Sequence, residues 1–150
     1  YEFVDYNCGY CKRIFIDLQA VLAEQPDVRL VVKEFPILAE TSVLAAKAAI
    51  AAQRQGKFRQ FHIAMMTWRG RIDADAIDSA GEEAGLDDKR LLKDMEDEVT
   101  AAILSRTRAA AAALEVRGTP ALIIGETVIP GAISKDEILG LINQIRAAKN

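Results

Sequence analysis

A Cys-x-x-Cys tetrad, Cys8-Gly9-Tyr10-Cys11, sits where an aromatic and β-branched run ends and a helical pattern begins. That junction constrains the fold more than any other stretch of the chain. Tyr1-Glu2-Phe3-Val4-Asp5-Tyr6 has the composition of a strand, and its apolar character predicts a buried central one. Asn7 follows as the predicted N-cap. From Cys8 onward Ile14, Phe15, Leu18, Val21 and Leu22 recur at helical spacing until Pro26 ends the run. Val28 to Phe35, closed by Pro36, reads as a second strand. A strand, helix and strand joined this tightly predict parallel pairing through a right-handed crossover.

From about Leu38 to Val116 the pattern is helical, broken near Gly56, Arg69-Gly70 and Gly85. It predicts four or five helices: Thr41 to Gln55, Lys57 to Trp68, Ala74 to Ala84, and Asp87 to Glu98 with an Ala-rich run reaching Leu114. Ala121 to Ile124 and Thr127 to Ile129, linked by Gly125-Glu126, read as a hairpin. A last helix follows, with Ser134 as its cap, Glu137 as capping-box partner, and an apolar face of Ile138, Leu139, Leu141, Ile142 and Ile145. The order is βαβ, a helical block, then ββα, an α/β arrangement without internal repeats or a linker.

Composition narrows the chemistry. Two cysteines and one histidine among 150 residues exclude a multi-disulfide scaffold and leave too few soft ligands for a self-contained four-coordinate zinc site. A formal net charge of −3 and no basic stripe argue against a nucleic-acid or anionic-membrane surface. No apolar run approaches the roughly 20 residues of a spanning helix. The chain opens on Tyr1, within a strand pattern and without a signal peptide, which predicts a processed or trimmed protein.

The two cysteines fall together at a helix start, where unsatisfied backbone N–H groups and the positive end of the helix dipole favour a thiolate. Cys8, with Lys12 and Arg13 nearby, is the candidate nucleophile, and Cys11, one turn deeper, the resolving thiol. The alternative is two ordinary buried thiols or half of a metal site. Pro120, opening a strand after Gly118-Thr119, is either an ordinary trans proline or a cis site whose ring and Thr119 backbone face Cys8 and an extended substrate. Glu2, an acid in an apolar strand, is either a buried carboxyl exchanging protons with Cys11 or an exposed residue at a terminus. Lys33 and Glu34 are weaker candidates, since alternation turns one of them outward. His62 is either a pH gate or a plain residue of the helical block, and Met65, Met66 and Trp68 line either a peptide groove or that block's core.

Phe3 through Lys12, Glu34-Phe35-Pro36-Ile37-Leu38 and Gly118-Thr119-Pro120-Ala121 resemble the thioredoxin superfamily, and within it the DsbA-like thiol:disulfide oxidoreductases. The resemblance covers nearly the whole chain. It implies a thioredoxin fold over residues 1–37 and 117–150, with an inserted helical domain over 38–116. It also implies that Cys8 is the nucleophile, Cys11 the resolving thiol, Pro120 a cis-proline preceded by Thr119, and Glu2 the buried acid. The spacer Gly9-Tyr10, and Thr119 before the proline, are similar instead to the DsbC and DsbG enzymes. Without the Pro-His spacer of DsbA one thiolate-stabilising group is missing, so a less oxidising couple is expected. The implied activity is disulfide exchange with protein substrates through the Cys8–Cys11 pair. It needs no cofactor and no metal, and a redox partner resets the pair in the bacterial periplasm or cell envelope. The alternatives are an isomerase or reductase of the same fold, and a carrier holding a soft metal ion on the two cysteines.

Overall fold

The computed structural model describes residues 1–148. A four-stranded sheet in the order β2-β1-β3-β4 is formed by β1 (Glu2–Val4), β2 (Val32–Glu34), β3 (Ala121–Ile124) and β4 (Thr127–Pro130). β1 pairs with β2 in parallel, Glu2 opposite Val32 and Val4 opposite Glu34. It pairs antiparallel with β3 on its other side, and β3 and β4 form the expected hairpin. Gly125 opens the hairpin turn at φ +62°, in the left-handed region that a glycine enters without strain.

The crossover helix α1 (Gly9–Glu24) buries Cys11, Ile14, Phe15, Leu18 and Val21. Its lower half packs with Leu122 of β3 and with Ile138 of the last helix, α7 (Lys135–Ala148). The opposite sheet face, carrying Phe3, Phe35 and Ala121, is covered by Ala111 of α6 (Glu98–Ala113) and by Val116. Between β2 and β3 the chain builds α2 (Glu40–Arg54), α3 (Phe58–Thr67), α4 (Ala74–Ala84), α5 (Asp88–Met95) and α6. Six buried alanines of α2 (Ala45, Ala46, Ala48, Ala49, Ala51 and Ala52) let its neighbours approach closely. Phe61, Met65 and Met66 complete that core, so these methionines are packing residues.

Several boundaries differ from the sequence pattern for physical reasons. β2 spans three residues, Val32–Glu34, opposite Glu2–Val4 of β1; the Val31 carbonyl still accepts the Glu2 N–H, while Val28–Leu30 have no strand beside them, and a strand needs a partner as well as propensity. Asp97 accepts the Val99 N–H and starts α6 as a new helix, dividing the run from Asp87 to Leu114 in two. Ser134 and Glu137 form the reciprocal capping box, the Glu137 carboxylate accepting from Ser134 N–H and Oγ–H while Ser134 Oγ accepts the Glu137 N–H.

Candidate active site

The residue capping α1 is Cys8 and not Asn7. Cys8 has extended backbone, φ −84° and ψ 110°, and its sulfur accepts the Cys11 N–H at 3.2 Å. The thiol is thus the cap of its own helix. Asn7 instead donates its side-chain amide to Thr41 Oγ1 at 3.1 Å and Ser42 Oγ at 2.9 Å, fastening the loop to the start of α2. Asp5 secures the same loop from below, accepting backbone N–H groups from Asn7, Ile37 and Leu38.

Both cysteines are free thiols and both are buried. Hydrogen bonding from Cys11 is the largest influence on Cys8 and, against the opposing effect of burial, holds its pKa at about 6. The Thr119 side chain and the backbone N–H groups of Cys11 and Tyr10 add to this, with the Thr119 hydroxyl making no hydrogen bond of ordinary geometry among the described residues. Cys11 moves the other way, its thiol pushed well up by its hydrogen bond to Cys8 and then by burial. One thiol is set up as a thiolate and its neighbour as a proton-bearing group.

Residues far away in sequence complete the site. The Thr119–Pro120 peptide bond is cis, and the Cys8 sulfur lies 3.3 Å from the Thr119 carbonyl oxygen, to which it donates when protonated. A groove of about 580 Å³ runs beside this segment, lined by Val116, Gly118, Thr119, Pro120, Val128 and Pro130 among others. Tyr10, in the spacer, is 61% exposed beside the cysteines, with the Arg13 guanidinium over its ring. Gly9 at the first helical position has no neighbour a Cβ would meet. Lys12 donates to the Trp68 carbonyl at 2.7 Å, tying the first turn of α1 to the end of α3.

Glu2 is 1% exposed on the sheet face beneath α1, and neither of its oxygens has a hydrogen-bond partner among the described residues. Burial, reinforced by the charge of Cys8, raises its pKa to about 8. Sequence reasoning offered Glu34 and His62 singly and missed Tyr6, which joins them beside this acid. Tyr6 is fully buried, and its hydroxyl meets Glu34 Oε1 at 3.0 Å and His62 Nδ1 at 2.9 Å. Glu34 is therefore the inward residue of its pair. No signal short of the three-dimensional arrangement brings His62 to it.

Residues 1–143 match the family model of the DSBA-like thioredoxin domain. A thioredoxin-like oxidoreductase from Silicibacter pomeroyi DSS-3 superposes with a TM-score of 0.94 at 36% identity, over 97% of this chain and 84% of that one. A periplasmic thioredoxin-like protein from Salmonella enterica serovar Typhimurium gives 0.85 at 32%, over 95% and 80%. The thiol-disulfide exchange protein alpha-DsbA2 from Wolbachia pipientis gives 0.89 at 26%, over 96% and 79%. Among curated proteins the chain matches the Na(+)/H(+) antiporter NhaA of Herminiimonas arsenicoxydans at 25% identity over 148 residues, which is 97% of this chain and 23% of that protein. It thus spans about a quarter of the length of such relatives. With its four-stranded mixed sheet, the helices between β2 and β3 and its apposed cysteine pair, the chain belongs to the DSBA-like thioredoxin domain family.

Proposed function

We propose that the domain exchanges disulfides with extended protein segments through Cys8 as nucleophile and Cys11 as resolving thiol. The observation that carries this is the position of the Cys8 sulfur, which caps α1 on one side and faces the Thr119 carbonyl on the other. In the oxidising direction a substrate thiolate attacks Cys8 of the Cys8–Cys11 disulfide, and Cys11 leaves and takes a proton. A second substrate thiolate then attacks the substrate sulfur of the mixed disulfide and displaces Cys8 as thiolate, so one disulfide forms in the substrate and one opens in the enzyme. Thr119 and Pro120 hold the substrate backbone, Gly9 and Tyr10 shape the approach, and Glu2 supplies the proton to Cys11. The frame over 1–37 and 117–150 carries the chemistry and the block over 38–116 covers it.

Substrates are protein thiols and disulfides, and a separate redox partner resets the pair. No described helix is long and apolar enough to cross a membrane. A periplasmic or envelope setting follows from the oxidising compartment that such exchange needs, and one structural relative is described as periplasmic. Equilibration with glutathione buffers, with thiols counted in the wild type, Cys8→Ser and Cys11→Ser, tests the assignment. Cys8→Ser should abolish exchange, and Cys11→Ser should accumulate a mixed disulfide at Cys8. Exchange that survives Cys8→Ser overturns the reading. Activity on reduced against scrambled ribonuclease separates oxidase from isomerase, and refolding of the scrambled form alone would sink the oxidase direction.

A further inference from the structure

The sheet face beneath α1 holds a second acid that the exchange steps above do not use. Glu2 and Val4 pair with Val32 and Glu34, so both carboxyl groups project to the same face of the β1–β2 pair. Both are buried, both have an oxygen without a partner, and neither forms an ion pair among the described residues. A buried face of this kind accommodates one negative charge more easily than two.

The Tyr6 hydroxyl has one hydrogen and two partners, Glu34 Oε1 and His62 Nδ1, so one of those partners must donate to it. With Glu34 ionised, Tyr6 donates to Glu34 and the His62 ring carries its hydrogen on Nδ1. With Glu34 protonated on Oε1, the acid donates to Tyr6, Tyr6 donates to Nδ1, and the ring hydrogen sits on Nε2. Atoms and charge balance between the two states: one proton is added overall, and the histidine changes tautomer without becoming a cation. Burial keeps that ring neutral, stacked on Phe58 and edge-on to Phe15.

We infer that Glu34, held by Tyr6 and His62, is a positioning residue for the redox reaction, sharing the proton load of the sheet face with Glu2 so that the His62 tautomer follows the state of the cysteine pair. The inference rests on the exchange reaction proposed above. When Cys11 takes the Glu2 proton and Cys8 remains a thiolate, negative charge appears beside the two acids, and Glu34 then keeps its proton to higher pH. The groups facing Glu34 are Tyr6 and Asp5 from the loop before α1, His62 from α3 and Glu2 from β1. Arg29, Lys33 and Arg106 of α6 line the cleft that Glu34 also borders, none of them paired with it among the described residues.

The single histidine makes the test unambiguous. Ring-nitrogen NMR of histidine-labelled wild type, oxidised and reduced, is recorded across the pH range in which both forms stay folded. A change of tautomer from Nε2–H to Nδ1–H with rising pH is expected, its midpoint about one pH unit higher in the reduced form, the size a nearby like charge produces. Glu34→Gln should abolish the pH-dependent change and move the break in the potential–pH profile of Cys8–Cys11 to lower pH. A tautomer that is the same in both redox forms at every pH overturns the coupling while leaving disulfide exchange standing. If the pair does not equilibrate with glutathione at all, the exchange reading itself fails.

Discussion

At Cys8 three influences converge that each favour a thiolate: a neighbouring thiol, a helix start, and the Thr119 side chain. Ultraviolet absorbance of the reduced protein should show one thiolate titrating near pH 6 and none from Cys11 below pH 9. Thr119→Val removes the hydroxyl at similar volume and should shift the Cys8 midpoint upward, and an unchanged midpoint would show that the hydroxyl contributes nothing. Stability carries the same signature. The folded pKa of Cys8, about 6, lies below its ordinary value of 9.0, so the folded reduced protein binds fewer protons between those limits and gains stability as pH rises through them. Glu2 has the opposite sign. Its folded value of about 8 lies above 4.5, so stability falls from about pH 4.5 to about pH 8. A disulfide removes the Cys8 contribution, so the stability of the reduced form relative to the oxidised form should grow from about pH 6 to about pH 9. Denaturant midpoints of the two forms check this, and a constant difference would contradict it.

Among the elements, those fixed by neighbours in sequence were legible and those fixed by distant partners were not. The Ser134–Glu137 box, the Gly125-Glu126 turn and the cysteines at a helix start are local, and each was readable from a few residues. The length of β2 depends on where β1 lies beside it, which Val28–Leu30 do not reveal. Alternation states that Lys33 and Glu34 face opposite ways, yet only the placement of Tyr6 and α3 decides which one is buried. The choice of Asn7 as cap followed residue statistics, and the competition was won by a sulfur because Asn7 has Thr41 and Ser42 within reach. The hairpin offers an element-scale test. A Cβ at Gly125 would stand 2.7 Å from Ile145 Cδ1 on top of its positive φ. Gly125→Ala should therefore cost more than about 1 kcal/mol in chemical denaturation. A neutral result would mean that α7 yields.

Across the whole molecule, one buried cluster joins Val4, Tyr6, Cys11 and Phe15 of the frame to Ala49, Phe61 and Met65 of the helical block, and specific polar ties add to it. Lys12 holds the Trp68 carbonyl, Asn7 holds the start of α2, and Tyr6 joins the loop before α1, β2 and α3 in one hydrogen-bonded cluster. Tyr6→Phe leaves two buried polar groups without this partner and should destabilise the domain by about 1–3 kcal/mol. Within the block, α2 presents alanines where larger residues would hold its neighbours off. Ala48→Leu, at a site with no exposed surface, should lower stability by about 1–3 kcal/mol through overpacking.

Because the sulfur of Cys8 closes the first turn of α1, the state of the cysteine pair is also the state of that turn. A thiolate is a strong acceptor for the Cys11 amide, and a disulfide sulfur is a weak one. Electrons arriving at the pair should thus tighten the end of the helix and electrons leaving should loosen it. Amide hydrogen exchange at Cys11, slow in the reduced protein and faster in the oxidised one, would make this turn a readout of redox state carried by the backbone itself.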